Sequence, residues 1–305
     1  MWFKNLRIFR LTSAISQTPE EINDVLAAAA FKPCGSLDPI KYGWTPPLGR
    51  HGTEYIHVVS GYIMVCAKRQ EKIIPSAVIN ETLEEKILEI NSEESRHVSR
   101  AERQTLKDEV IFSLMPKALA KSSLDYAYID THTNLIIVNV SSAKRAEDLL
   151  SALREALGTL KAIPLTPQLM PTQIMTQWVT DSATADKFEL GQECELAASK
   201  DGRTIRCKNQ DLSASEILSH LESGMFVKKL ALEWNEAISC VVDDQFAIKR
   251  IKYQDAIQEK ANDYNAETAA EQFDIDFSIM TLELAAFIKA ITEAFGGLEN
   301  VVTDD

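Results

Sequence analysis

Residues 75–116 read PSAVINETLEEKILEINSEESRHVSRAERQTLKDEVIFSLMP, and the fold turns on how they are read. Val78, Ile79, Leu83, Ile87 and Ile90 recur at the spacing of one helix face. The pattern lapses over residues 92–98. Ser99-Arg100-Ala101-Glu102 then has the spacing of a capping box, in which hydroxyl and carboxylate each accept one orphan N–H. A second helix should run from there to Met115 and stop at Pro116, which has no N–H with which to continue the ladder. The spacing therefore predicts an antiparallel helical hairpin, each arm of roughly 16 residues extending about 24 Å.

Upstream, residues 2–11 mix Trp, Phe, Leu and Ile with single charges and read as a strand. Thr18-Pro19-Glu20-Glu21 opens a helix to about Ala30, with Thr18 as N-cap, Pro19 at N1 and Glu21 at N3. Glycine- and proline-rich turns follow at residues 33–36 and 43–49, and residues 54–59 and 62–68 read as a β-hairpin across Ser60-Gly61. Downstream, strands are expected at 125–130 and 134–139, a helix from Ser142 to Leu157 ended by Gly158, and a strand to Leu165. The helical hairpin is thus inserted between sheet elements. Residues 1–75 and 122–166 form a discontinuous α+β central domain, and residues 76–121 form the inserted tip.

Residues 167–305 form a C-terminal α+β region. A connector with a short helix around Gln173–Val179 leads to strands at 187–195 and 203–208, a helix at 213–222, and strands at 225–234, 237–242 and 245–253. Leu284, Phe287, Ile288, Ile291 and Phe295 share one face of a closing helix, and Gly296-Gly297 supply its C-cap. The expected class is α+β, an elongated mixed sheet and helix chain.

Composition excludes several classes. Apolar residues make up 45% and charged residues 25% of the 305, which is no disordered chain. No run approaches the eighteen or so apolar residues of a membrane span, and Lys4, Arg7 and Arg10 interrupt any leader-like start. Five cysteines, odd in number and never spaced C-x-x-C, fit free thiols in a reducing cytoplasm. The net charge of -13 argues against a nucleic-acid binder until its distribution is read. Residues 254–305 carry 12 acidic against 2 basic side chains, whereas the preceding 253 carry 33 against 30. Such a polarised molecule can steer a charged partner.

Catalytic signatures are missing. There is no nucleotide loop, H-E-x-x-H or G-x-S-x-G, and the five histidines never pair at metal-ligand spacing. Cys34 sits in a glycine-proline turn and reads as a small buried thiol rather than a nucleophile. Glu271, Asp274, Asp276 and Glu283 could hold a divalent metal, but acids favoured by a helix macrodipole explain most of them. No catalytic residue, metal or cofactor is therefore expected.

The basic residues are more informative. Arg100, Arg103 and Lys107 lie on one side of the second hairpin helix, where cations oppose the macrodipole and a bound phosphate would reverse the sign. Leu106, Val110, Ile111 and Leu114 supply an apolar root on the same helix. Arg206 and Lys208 share one strand face, opposite Ile205 and Cys207. Lys228-Lys229 and Lys249-Arg250-Ile251-Lys252 add charge to neighbouring strands. Together these clusters suggest a surface that tracks phosphates.

Read in order, Trp2-Phe3-Lys4-Asn5-Leu6, Phe31-Lys32-Pro33-Cys34-Gly35-Ser36, Gly43-Trp44-Thr45-Pro46-Pro47-Leu48-Gly49, Lys208-Asn209-Gln210-Asp211-Leu212 and Lys229-Leu230-Ala231-Leu232-Glu233-Trp234 resemble the RdgC family of bacterial recombination-associated proteins. Further matching words at 71–76, 106–110, 143–148 and 280–284 extend the resemblance over essentially the whole chain. It implies a ring-shaped homodimer with a positively lined hole that binds DNA, double-stranded and also single-stranded, with little sequence preference. It also implies association with the nucleoid and restraint of RecA-driven strand exchange. Charge pattern and resemblance together give a DNA-binding set: Arg96, Arg100, Arg103, Lys107, Lys117, Leu119, Arg206, Lys208, Gln210, Lys228, Lys249, Arg250 and Lys252. Two positions depart from the family. Leu119 stands where an aromatic is usual, losing base stacking but keeping an apolar wedge, and Asn209 stands where a second lysine can occur. Two alternatives remain open: a module that docks on RecA directly, and a metal-dependent nuclease.

Overall fold

In the computed structural model, which describes residues 1–264 and 266–299, two antiparallel sheets share one apolar core. The first is built from β1 (Arg7–Leu11), β2 (Ile40–Trp44), β3 (Ile56–Val59), β4 (Tyr62–Ile73), β5 (Leu119–Asp130), β6 (Leu135–Val138) and β7 (Ala162–Pro164). Its order is β2-β4-β5-β6-β1-β7, with β3 also paired to β4. Helices α1 (Pro19–Ala28), α2 (Ser76–Glu93), α3 (Arg100–Leu114) and α4 (Ala143–Leu157) interleave with these strands, and α5 (Pro171–Asp181) leads out. The second sheet, in the order β12-β11-β10-β8-β9, comprises β8 (Phe188–Ala198), β9 (Thr204–Lys208), β10 (Met225–Trp234), β11 (Ile238–Asp243) and β12 (Ile248–Tyr253). Helix α6 (Ser215–Glu222) precedes β10, and α7 (Asp255–Asn262) and α8 (Ala269–Ala294) follow β12.

The first sheet is covered on both faces, as strand alternation requires. Phe9, Ile63, Val65, Ile129 and Ile136 pack with Ile22 of α1 and with Leu149 and Leu153 of α4. On the other face Ile8, Tyr62, Met64, Tyr128 and Ile137 join the core that holds Phe277, Met280 and Leu284 of α8. The same core takes in Val227, Leu230, Leu232 and Trp234 of β10, with Trp178 of α5 and Ile217 of α6. One face of the second sheet is therefore buried and the other is left for charge.

The sequence-level caps are present. Thr18 and Glu21 form a capping box on α1, as do Ser99 and Glu102 on α3, and such caps contribute about 1 kcal/mol each. Gly158 ends α4 at φ +77°, and Ser60 and Gly61, at φ +48° and +83°, make the turn between β3 and β4.

Several boundaries differ from the sequence reading. The strand expected over residues 2–11 is divided between the two sheets. Leu6 exchanges both backbone hydrogen bonds with Ile248 of β12 and the Lys4 carbonyl accepts from the Ile251 N–H, and only Arg7–Leu11 joins β6 and β7. The fifth strand starts at Leu119 rather than 125, and β4 continues to Ile73 rather than 68. Alternation fails to reveal these extensions because both lie beyond the core: Leu119–Lys121 is exposed, whereas Tyr62–Ala67 is buried. The two strands pair with each other in unbroken register, from Tyr62↔Asp130 through the extensions to Ile73↔Leu119. The result is a ribbon, flanked by β2 along Ala67–Glu71, that narrows to two strands at Lys72 and Ile73 and carries α2 and α3 at its far end. Arg69 bonds Asp148 and Arg145 bonds the buried Asp125, tying the ribbon's base to α4. At the outer end Ile79, Leu83, Ile87, Leu106, Val110 and Leu114 form a small core of their own. Ile111 is not among them, and Val78 is exposed.

Candidate nucleic-acid interface

The open face of the second sheet gathers most of the sequence-level cations. Directly opposed residues on β8 and β9 set Glu193 against Lys208 and Glu195 against Arg206. Between them Cys194 and Cys207 turn to the core. A register shift between Val227 and Lys229 makes Lys228 the extra residue of a bulge, so two successive lysines leave the core side of β10. A second bulge in β12 holds Arg250 at φ +54°, a left-handed conformation that costs about 1 kcal/mol for a non-glycine residue. It allows both Ile248 and Ile251 to stay buried while Lys249 and Arg250 lie between them. Gly191 permits the irregular approach of β8 to β10, because a Cβ there would stand 2.8 Å from that of Ala231.

These cations fall into two groups. Arg206 Nε and Lys229 Nζ each lie 2.9 Å from the same Oε2 of Glu195, Arg250 is 2.9 Å from Glu193, and Lys249 is 2.6 Å from Asp243. Burial alone would raise the Glu195 carboxyl, but Lys229 and Arg206 outweigh it and hold the group below its ordinary range. Lys208, Lys228 and Lys252 make no ion pair among the described residues. A cleft of about 400 Å³ runs between Arg206, Lys208, Lys229, Lys249 and Arg250, with Asn5 and Ser141 on its wall. Gln210 lies two residues beyond β9, its N–H donating to the Gln192 carbonyl at 3.2 Å.

The arm holds the remaining residues. Arg100, Arg103 and Lys107 line a groove of about 670 Å³ between α2 and α3, together with Asn80, Leu83 and Gln104. The negative charge that the macrodipole argument assigns to a bound anion is partly internal: Arg103 pairs with Glu84, and Arg96 bonds both Glu94 and Glu102. Arg100 and Lys107 have no such partner among the described residues. Lys117 closes a short 3₁₀ turn, and Leu119 follows it at 82% exposure. The sequence-level set therefore occupies two separate elements, the sheet face and the arm. The acidic partners Glu193, Glu195 and Asp243 escaped sequence reading, since bulges hide which acid meets which base. Lys229, which shares Glu195 with Arg206, was visible only as half of a lysine pair.

The acidic C-terminal residues do not converge. Asp276 holds the amino terminus of Met1 at 2.7 Å, Asp274 faces His57 at 3.2 Å, and Glu271 accepts from the Glu267 N–H at the start of α8. No three His, Cys, Asp or Glu side chains among the described residues group as a metal site. Cys34 is half-buried rather than buried: its N–H donates to the Gln70 side chain and its thiol to the Gln70 carbonyl. Among the described residues no helix is long and apolar enough to cross a membrane.

Two antiparallel sheets, a ribbon-borne helical arm, and on sheet and arm cations without an ion-pair partner among the described residues define a mixed α+β protein with separated basic surfaces. A family model described as "Putative exonuclease, RdgC" matches residues 1–298. The chain is 43% identical over 298 residues to the Recombination-associated protein RdgC of Yersinia enterocolitica, covering 97% of this chain and 98% of that one. Proteins of the same description from Yersinia pestis and Yersinia pseudotuberculosis match at the same identity and coverage. The chain belongs to the RdgC family.

Proposed function

We propose that this chain is a non-catalytic, sequence-nonspecific DNA-binding protein that acts on recombination as a ring-shaped homodimer enclosing duplex DNA. The observation that carries the reading is the sheet face on which Arg206, Lys208 and Lys252 are exposed and Lys228 is half-buried, over a buried apolar core. A basic face of this kind can follow a phosphate backbone without reading bases. Arg100 and Lys107 on the arm supply a second set of phosphate contacts at a distance, as enclosure requires. Single strands would use the same contacts. By occupying DNA along the nucleoid, the dimer would limit access of RecA or the strand exchange it drives. The relatives' description as recombination-associated supports this placement.

Direct docking on RecA is the second reading, favoured by Leu88 and Phe112, which are 67% and 62% exposed on the arm. The family description favours nuclease action, while the dispersal of Glu271, Asp274 and Asp276 speaks against a shared metal. One experiment separates all three. The purified protein is incubated with labelled circular and linear duplexes, with and without Mg²⁺ or Mn²⁺, and with RecA alone. An enclosing ring leaves DNA intact and escapes more slowly from the circle. Degraded DNA, or binding to RecA without DNA, contradicts it.

A further inference from the structure

Five thiols are distributed over the chain, and two of them face each other. Cys194 on β8 and Cys207 on β9 are direct partners in the antiparallel ladder. Cα atoms so paired lie about 4.5–5.5 Å apart, within the span of roughly 4.4–6.8 Å that a disulfide bridges. Opposed residues share a face, and both side chains pack against the same apolar core. By contrast Cys66 stands opposite Tyr126 and Cys240 opposite Leu232, and Cys34 contacts Gln70.

We infer that Cys194 and Cys207 form a reversible intrachain disulfide when the protein meets a peroxide. Cys194 is only 2% exposed, whereas Cys207 is half-buried on the edge strand of its sheet, so Cys207 is the sulfur a small oxidant reaches first. Its sulfur attacks hydrogen peroxide, an S–O bond forms as the O–O bond breaks, and one water leaves. The Cys194 sulfur then displaces the hydroxyl from the resulting sulfenic acid; an S–S bond forms, the S–O bond breaks, and a second water leaves. Two thiols have lost two hydrogens, and one peroxide has become two waters. An added dithiol reverses the change.

The fold permits the small contraction this needs. Cβ atoms of ladder partners stand about 4.5–5.5 Å apart and must close to about 3.5–4.5 Å. Strand β9 has five residues and is paired on one side only, so it can move toward β8. Burial and the neighbouring Cys207 push the Cys194 thiol up to about 12, which makes the second step slow near neutral pH and faster in alkali. Arg206 and Lys208 flank Cys207 on the opposite face, so the cross-link would fix the strand that presents them. The chemistry does not depend on the DNA-binding reading.

The test treats the full-length folded protein with hydrogen peroxide or, separately, diamide. Free thiols are then blocked with N-ethylmaleimide and the protein is digested without reduction for mass spectrometry. A linked peptide pair containing Cys194 and Cys207, lighter by two hydrogens, should appear and vanish on treatment with dithiothreitol. Blocking after denaturation should count three thiols instead of five. Cys194→Ser and Cys207→Ser should each abolish the pair, and Cys34→Ser should leave it; unchanged melting temperatures certify the fold of each variant. Oxidation that stops at a sulfinic acid on Cys207, a disulfide joining two chains, or survival of all five thiols at doses that oxidise the denatured chain would each overturn the inference.

Discussion

Arg206 Nε rests 2.9 Å from Oε2 of Glu195, yet it is not the only cation on that acid. Glu195 is 10% exposed and is also held by Lys229, which is half-sheltered, whereas the Arg206 side chain is 71% exposed. Arg206 can leave for a phosphate without stranding a buried charge. With Lys229 left on the acid and Arg206 in solvent, losing this pair costs about 0–1 kcal/mol, as for surface ion pairs. Arg206→Ala should therefore leave the melting temperature nearly unchanged. It should weaken binding to every duplex alike and make the salt dependence shallower by about one unit of log–log slope. Thermal melts and fluorescence titrations over a salt series check both halves.

Lys249 should behave in the opposite way. Asp243 is 5% exposed at its side chain, takes N–H bonds from Gln245 and Ala247, and has Lys249 as its one ion-pair partner among the described residues. Removing one member of a sheltered pair costs about 3 kcal/mol. Lys249→Ala should lower the unfolding midpoint in urea clearly. Any loss of DNA affinity should track the unfolded fraction rather than alter the salt slope.

Leu119 is the third test, because it carries no charge and little burial. It stands opposite Ile73 at the last rung of the ribbon, where the strands hand over to the helical arm. Leu119→Ala should leave stability unchanged and reduce affinity while the salt slope stays put, as expected of an apolar wedge. Leu119→Phe should bind more tightly, since an aromatic face can stack on a base. Equal affinity for all three side chains would remove Leu119 from the interface.

Much of this was legible in sequence because the helices announce themselves locally. The capping boxes at Thr18 and Ser99, the Gly158 stop and the apolar face of α8 are short-range signals, and each appears where its residues place it. The long ribbon was not legible, since Lys68–Ile73 and Leu119–Leu124 pair with each other outside any core and show no buried face to betray them. The same reason hides the division of residues 2–11 between two sheets, for an extended chain looks alike whichever edge it joins. At the candidate interface the cations were visible one by one. Which of them are tied to Glu193, Glu195 or Asp243 depends on cross-strand register and two bulges, and no local pattern reports those.

His57 gives the fold a mild acid sensitivity. Burial pushes its pKa below the ordinary 6.5, and Asp274 opposes the shift only in part. The ring packs against Phe273 and Phe277 of α8 and lies beside a cleft that Glu20, Asp24 and Glu54 also line. The folded state thus prefers the neutral imidazole. Its contribution is complete above 6.5, declines as pH falls below that value, and is gone below the folded-state pKa. The melting temperature should fall between pH 7 and 5, and His57→Gln should flatten that part of the profile. An unchanged profile in the variant would show that other groups carry the acid sensitivity.

The central claim is that this chain holds DNA by its phosphates, and salt tests it most directly. Affinity of the wild-type protein for several unrelated duplexes of equal length should be titrated between 50 and 200 mM salt. With roughly 6–10 phosphates neutralised, affinity should drop by about 10³–10⁵ across that range, and at any one salt the duplexes should agree within a few-fold. Binding that ignores salt, or that selects one short sequence over the rest, would contradict the account.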